Sequence, residues 1–473
     1  MRLRLRLRRV CLCLRRGRPV NLPLLGRAHE APTTPPPGLH AYLRQQAPGE
    51  RTRVHLRVEA DGTGLLVVNA NRVVHLNPTA TAMAWLSLEG TPEREALARL
   101  SRTYRAPRKQ LRADWQEVTA QVEALASPNG ACPVHDLDLE VLQPFSQVPS
   151  APYRIDLALT YRCNDNCAHC YNARSRNYPE IDTDAWKQVI DRVRLVGVPH
   201  ICFTGGEATL RPDLPVLVAH AQQQGLVTGL LSNGRRLSDA AYVSALADAG
   251  LDHVQITLES HDEAVHDRMV GARGAWQQTV AGLRNCLGSA LYVMTNTTLL
   301  AENAGQLEAT LDFLARAGVP TVGLNALIYS GRGQSVGTGL NEADLAPLLT
   351  LARGKTEAAG QRLIWYTPTQ YCHFDPIQME LGVKGCTAAL YNLCIEPDGA
   401  VIPCQSYYEP LGNLLRDPWE SIWDHELARA LRERRFVPAA CHDCALLAEC
   451  GGGCPLTLAH QLPRRVESEL SAA

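Results

Sequence analysis

Cys163, Cys167 and Cys170 stand in the run TYRCNDNCAHCY at 160–171, directly after the apolar stretch 155–160. That stretch reads as a strand, so the three cysteines share one short loop at its carboxyl end. This C-x3-C-x2-C loop constrains the chain more than any other feature. Three thiolates hold three irons of a [4Fe–4S] cluster and leave the fourth without a protein ligand, open to a small molecule. A zinc knuckle is the competing use of such cysteines, but structural zinc sites normally close with four ligands.

From Tyr153 onward the pattern is strand then helix, repeated. Strands are expected at 155–160, 200–204, 227–231, 253–258, 291–299 and 321–328. Between them lie a helix capped by Asp182 or Thr183, with Trp186, Val189, Ile190 and Val193 on one face, and helices at 214–224, 239–249, 276–286 and 307–317. Six βα units with right-handed crossovers predict an α/β fold, a parallel sheet curled into a partial (β/α)6 TIM-like barrel over 151–345. Chemistry on such a barrel gathers on loops after the carboxyl ends of strands. The cysteine loop follows the first strand and Thr204-Gly205-Gly206-Glu207 follows the second. Paired glycines let a backbone approach a ligand closely, and the Glu207 carboxylate can accept an ammonium. Ser232-Asn233-Gly234 ends the third strand, although S-N-G is also an ordinary turn. Thr257 and Glu259 end the fourth, with Arg268 following; an arginine there can hold a carboxylate or make a surface ion pair.

The cysteine spacing, the aromatic Tyr171 after the third cysteine and the G-G-E one βα unit later resemble the radical S-adenosylmethionine (radical SAM) enzymes. The resemblance implies a cluster on Cys163, Cys167 and Cys170 whose open iron takes the amino and carboxylate groups of S-adenosylmethionine. It implies that Gly205, Gly206 and Glu207 bind the amino group, and that Ser232 and Asn233 touch the ribose. Tyr171 would stack on the adenine or only pack the loop. Thr257, Glu259 and Arg268 match the family's next motif loosely, and Val270 stands where an arginine often does.

A second cysteine system lies in 346–473. Cys386, Cys394 and Cys404 flank Glu396-Pro397-Asp398-Gly399, an Asp-Gly hairpin signal, and Cys441, Cys444, Cys450 and Cys454 follow at C-x2-C-x5-C-x3-C. This pattern resembles the SPASM extension of radical SAM peptide-modifying enzymes. The resemblance implies one auxiliary iron–sulfur cluster on Cys386, Cys394, Cys404 and Cys454, and a second on Cys441, Cys444 and Cys450. The full pattern has one further cysteine downstream, and none follows Cys454 here. The second cluster therefore needs another ligand or keeps an open iron; His460, Glu467 and Cys372 are unranked candidates. Zinc again competes, because C-x2-C pairs are common in zinc sites. Cys202 and Cys286, in a strand and a helix, read as buried apolar residues.

Ahead of the barrel, 51–128 shows three short strands (54–58, 64–70 and 72–76) and then three helices. The last helix carries Leu111, Trp115, Val118, Val122 and Leu125 on one face. This small winged-helix-like α+β domain resembles the peptide chaperone of pyrroloquinoline quinone biosynthesis. It would serve as a recognition element for ribosomally made, post-translationally modified peptides (RiPPs). Such domains bind a precursor peptide's leader as an added strand, here between the strand at 72–76 and the helix from Leu111. A purely structural module is the alternative.

The first 27 residues hold nine arginines and no acid, and the whole chain has a net charge of −1, which leaves −10 for the remainder. That balance offers no basic face for nucleic acid. Residues 1–50, basic and then proline-rich, read as a disordered arm or a mis-started N-terminus, and 129–150 as a linker. Sixteen cysteines in 473 residues, clustered as they are, favour metal in a reducing compartment over disulfides. No run approaches the roughly 18 apolar residues of a membrane span, so a cytoplasmic protein is expected. Together these readings point to a radical SAM enzyme that takes a hydrogen atom from a ribosomal peptide. It would use an electron donor such as flavodoxin or ferredoxin and auxiliary clusters that accept an electron. A side-chain maturase of the sulfatase-maturing type and a non-catalytic iron–sulfur peptide-binding scaffold are the alternatives.

Overall fold

The computed structural model describes residues 34–44, 51–127 and 148–461, which fall into two compact units. Most of the expected N-terminal arm, the linker at 129–147 and Glu467 lie outside the described residues.

The first unit is a four-stranded antiparallel sheet in the order β1 (Gly38–Arg44), β2 (Thr52–Val58), β3 (Gly64–Val68), β4 (Arg72–Leu76). The sequence reading counts three strands; β1 falls in the stretch it leaves to the arm. Prolines at 35–37 mark a chain break there but do not stop Gly38–Arg44 from pairing with β2. Three helices follow: α1 (Pro78–Leu88), α2 (Glu93–Thr103) and α3 (Arg108–Ala126). The Asn77 side chain accepts from Ala80 N and Pro78 takes the first turn, which fixes the start of α1. Leu111, Trp115, Val118, Val122 and Leu125 of α3 all turn inward, as their spacing predicts, onto a core with Val54, Leu56, Leu66 and Met83. β4 pairs with β3 on one side only and is an edge of the sheet.

The second unit alternates β5 (Arg154–Thr160), α4 (Thr183–Leu195), β6 (His200–Gly205), α5 (Leu214–Gln223), β7 (Val227–Ser232), α6 (Ala240–Asp248) and β8 (His253–Thr257). Then come α7 (Glu263–Val270), α8 (Ala275–Leu287), β9 (Tyr292–Leu299), α9 (Leu307–Arg316) and β10 (Thr321–Ala326). Strands β5 to β10 are parallel neighbours in chain order, the expected six-unit barrel wall, and the sheet stays open.

The wall continues past the expected boundary at 345. After α10 (Glu342–Ala358), β11 (Arg362–Trp365) joins β10 in parallel. At the other edge β12 (Asn392–Ile395) pairs in parallel with β5, followed by the hairpin strand β13 (Ala400–Ile402) and the short β14 (Gly412–Asn413). The second cysteine region is thus built onto the same sheet as the barrel. Short helices complete it: α11 (Trp419–Trp423), α12 (Glu426–Arg432), α13 (Leu447–Cys450) and α14 (Pro455–Gln461). Among the described residues no helix is long and apolar enough to cross a membrane.

Candidate active site

The cysteine loop leaves β5 and is held from several directions. Arg176 donates to Cys163 O at 2.7 Å and also reaches Asp165 O. Arg235, immediately after the S-N-G turn, pairs with Asp165 Oδ1 at 2.7 Å. Arg332 donates through its side chain to Asn166 Oδ1 at 2.6 Å and through its backbone to Cys170 O at 2.9 Å. Asn166 N donates to Val270 O at 2.8 Å. The position where an arginine is often found therefore contributes a carbonyl. Three guanidinium groups around a loop that would carry three thiolates are an electrostatic complement to that charge.

Gly205 and Gly206 are needed for a reason the motif alone does not disclose. A Cβ on Gly205, whose φ is +137°, would fall 2.1 Å from Thr160 O, and one on Gly206 would fall 2.4 Å from Arg162 O. The pair lets the end of β6 press against the base of the cysteine loop, with Gly206 N on Thr160 O at 2.7 Å and Glu207 N on Arg162 O at 2.8 Å. Glu207 is 1% exposed. Its Oε1 accepts from Thr209 N, Thr209 Oγ1 and Ser232 Oγ, and its Oε2 from Asn233 N at 2.8 Å. Burial pushes its pKa up, and the bonds from Asn233 and Thr209 pull it back only in part. Glu207 thus joins the second motif to the third, and Asn233 Nδ2 in turn donates to Asn164 Oδ1 at 2.7 Å.

Glu259 binds the loop as well. Its Oε1 lies 3.0 Å from His169 Nε2, between Cys167 and Cys170 in sequence, and its Oε2 accepts from Thr298 N at 2.8 Å. Burial works against a charged His169, but the Glu259 carboxylate outweighs it and raises the imidazole above its usual range. Thr257 is half-buried at the end of β8. Arg268 is exposed on α7, its guanidinium reaching Ala264 O at 3.4 Å, and is not among the side chains that hold the loop. Tyr171, raised by burial, donates to Gln405 Oε1 at 3.1 Å. Its hydroxyl faces the second cysteine system.

That system forms two groups. Burial first, then the neighbouring Cys454 and Cys404 thiols, raise Cys386; burial and then Asp156 and Cys404 raise Cys394. Cys404 is pushed up to about 12 by burial. Cys404 therefore lies within electrostatic reach of Cys386, Cys394 and Cys454, and Cys386 within reach of Cys454. In the other group, burial and then Cys450 and Cys444 raise Cys441. Tyr371 N donates to Cys450 Sγ at 3.4 Å, and that sulfur lies 3.6 Å from Thr369 O. The segment 369–372 thus wraps Cys450 and places Cys372 beside it. His460 instead stacks on Tyr329, ring centroids 4.1 Å apart. The hairpin between the groups is tied to the first cysteine loop: Arg174 binds Glu396 at 2.7 and 2.8 Å, and Tyr161 reaches the same carboxylate at 3.0 Å.

A single tetrahedral zinc holds its cysteine sulfurs about 3.8 Å apart. Among the described residues, the one set of three or more His, Cys, Asp or Glu ligand atoms all within 4.8 Å is His200, Cys202 and His253. Among the described residues no three cysteines of the first loop or of either later group bring their sulfurs within 4.8 Å of one another, a wider spacing than a single tetrahedral zinc holds. A cavity of about 600 Å³ lies beyond the ends of β10 and β11, lined by residues that include Tyr329, Glu342, Trp365, His373 and His460.

The sequence reading did not find Arg176, Arg235, Arg332 or the pairing of Glu259 with His169. Arg235 alone carried a signal, its place next to the S-N-G turn.

Residues 157–314 match the radical SAM superfamily, and residues 386–445 match the SPASM iron–sulfur cluster-binding domain. The Fe-coproporphyrin III synthase of Methanosarcina barkeri is 29% identical over 62% of this chain and 81% of its own length. The PqqA peptide cyclase of Rhizobium meliloti is 27% identical over 63% of this chain and 80% of its own. The structure of Streptococcus suis SuiB bound to precursor peptide SuiA matches with a TM-score of 0.63 at 17% identity, over 86% of this chain and 95% of that one.

Proposed function

We propose that this radical SAM enzyme with a SPASM domain modifies a ribosomally made peptide, whose leader docks on the N-terminal unit. One observation carries the reading. An antiparallel sheet with an open edge at β4 is fused to a chain that also carries the three-cysteine loop and two further cysteine groups.

In this reading Cys163, Cys167 and Cys170 hold three irons of the catalytic cluster. Cys386, Cys394, Cys404 and Cys454 hold the first auxiliary cluster, and Cys441, Cys444, Cys450 and Cys372 the second. Bound there, the clusters would supply the one-electron chemistry by which S-adenosylmethionine becomes an agent of hydrogen-atom abstraction from the peptide, and the auxiliary ones would be the electron acceptors. The chain's own work is placement and shielding. Arg176, Arg235 and Arg332 fix the loop and offset its negative charge. Gly205 and Gly206 let the Glu207 segment reach the loop, and Glu207 orients Ser232 and Asn233 toward the cofactor's side of the sheet. β4, the outer strand of its sheet, would take the leader as an added strand.

Identity alone does not separate a peptide from a porphyrin substrate, since relatives of both kinds match at similar identity. The N-terminal unit favours the peptide. A sulfatase-type protein substrate would have no use for that unit. Anaerobic turnover of the reconstituted enzyme with S-adenosylmethionine, reductant and a peptide encoded beside it tests the reading. A product lighter by two hydrogens, formed together with 5′-deoxyadenosine, is the expected outcome. Unchanged peptide alongside chemical change of an iron tetrapyrrole would overturn it.

A further inference from the structure

We propose that His200, Cys202 and His253 form a mononuclear site for a thiophilic divalent cation, zinc before others, at the amino-terminal end of the parallel sheet. The ligand atoms converge on one point. His200 Nε2 lies 2.9 Å from His253 Nε2 and 3.5 Å from Cys202 Sγ, and all three lie within 4.8 Å of one another. Tetrahedral zinc bound by two imidazoles and a thiolate needs about 3.3 Å between nitrogens and about 3.6 Å between nitrogen and sulfur. The two separations made by His200 are therefore within a few tenths of an ångström of a binding geometry, and the third, between His253 and Cys202, is within 4.8 Å.

Strand register builds the site. Cys202 is level with Gly229 and Gly229 with His253, while His200, two residues before Cys202, shares its face. The strand between the ligands is kept clear. A Cβ on Gly229 would fall 2.3 Å from His253 Cε1 and 2.6 Å from Cys202 Sγ, inside the space an ion would take. His200 and Cys202 are buried, and His253 Nδ1 is buried with no hydrogen-bond partner among the described residues. Two imidazoles and a thiolate suit zinc better than a hard cation, and a solvent molecule would take the fourth coordination position. Arg154 and Asp156, paired with each other at 3.0 Å, are the charged groups alongside. Binding exchanges the Cys202 thiol proton for the metal, and the proton goes to solvent.

This is not the catalytic end. His200 and His253 are the first residues of β6 and β8, whereas the cysteine loop, Glu207 and Ser232 sit at the carboxyl ends, roughly 17 Å away along a six-residue strand. The ion would tie β6 to β8 across β7 and brace the floor under the reacting groups. The sequence reading of Cys202 as a buried apolar residue describes its burial and misses its partners.

The test is metal analysis of anaerobically purified holoenzyme with its iron intact, offered Zn²⁺ alone and then desalted. The wild type is expected to keep about one zinc per chain. Cys202→Ser and His253→Gln should lose it with iron and sulfide unchanged, and Cys286→Ser, a buried cysteine elsewhere, should retain it. Offered Co²⁺ alone, the wild type should show a thiolate-to-cobalt charge-transfer band, which does not depend on any variant folding. No stoichiometric zinc in the wild type, no such band, or equal zinc in the wild type and both site variants would overturn the proposal.

Discussion

The Tyr171 hydroxyl donates to Gln405 Oε1 across 3.1 Å, and the two residues directly follow Cys170 and Cys404. A single hydrogen bond therefore links the loop of the proposed catalytic cluster to that of the first auxiliary cluster. Tyr408 strengthens the link, its hydroxyl on Gln405 O at 2.9 Å and 3.4 Å from Asn172 Oδ1. Replacing Tyr171 by Phe or Gln405 by Leu should slow peptide modification about five- to tenfold, the worth of one hydrogen bond of about 1 kcal/mol. The double variant should be no slower than the worse single one, because the two side chains act as a unit. Full additivity in the measured rates would show that the bond is incidental.

Cys372 is expected to complete the second auxiliary cluster. In the reconstituted enzyme it should resist alkylation together with Cys441, Cys444 and Cys450, and all four should label once the iron is chelated, as peptide mapping would show. Cys372→Ala should lower the iron content or leave a three-iron electron paramagnetic signal after mild oxidation. His460→Gln should do neither, since that ring stacks on Tyr329. Rapid labelling of Cys372 while the other three stay protected would remove it from the cluster.

Glu207 satisfies four donors on three residues. Glu207→Gln keeps the size but turns one acceptor oxygen into a donor facing backbone or hydroxyl hydrogens, at a cost of about 2–3 kcal/mol. Affinity for S-adenosylmethionine, measured by equilibrium dialysis, should fall about 30- to 100-fold. Iron content should stay near that of the wild type. Unchanged affinity would mean that the pinning of Ser232 and Asn233 does not matter to the cofactor.

Asp213 stands directly before α5, bound by Arg211 at 2.9 and 2.7 Å and by Thr183 at 2.7 Å. Burial alone would raise its carboxyl; the Arg211 guanidinium and the Thr183 hydroxyl outweigh burial and hold it below its ordinary value of 3.8. A lowered folded value gives stability that is complete above pH 3.8 and is lost as the pH falls through the folded value. Asp213→Asn should therefore lower the unfolding midpoint at pH 6, and the gap to the wild type should narrow below about pH 4. Tryptophan fluorescence followed across that range would check it; a gap that stays constant would contradict the ion pair's role.

The sequence by itself determined whatever depends on neighbours along the chain. The stripe from Leu111 to Leu125 had to be a helix with one apolar face, because four- and three-residue spacings meet on one side. The six strands with helices between them left little choice but a parallel wall, and a cysteine loop after the first of them had to sit at its carboxyl end. Tertiary structure decided what depends on which distant segments become neighbours. β1 follows a run of prolines and β11 is only four residues long, and pairing with β2 and β10 makes them strands. β12 lies beside β5 because the sheet edge there was free, not because of anything written near residue 392. Cys372 stands far from Cys441 in sequence and joins it only when 369–372 folds over Cys450. His200, Cys202 and His253 meet through strand register across a glycine, and register is set by the packing of the whole sheet. Local periodicity is a property of consecutive residues, whereas a site is a property of the contacts that burial of the core brings about.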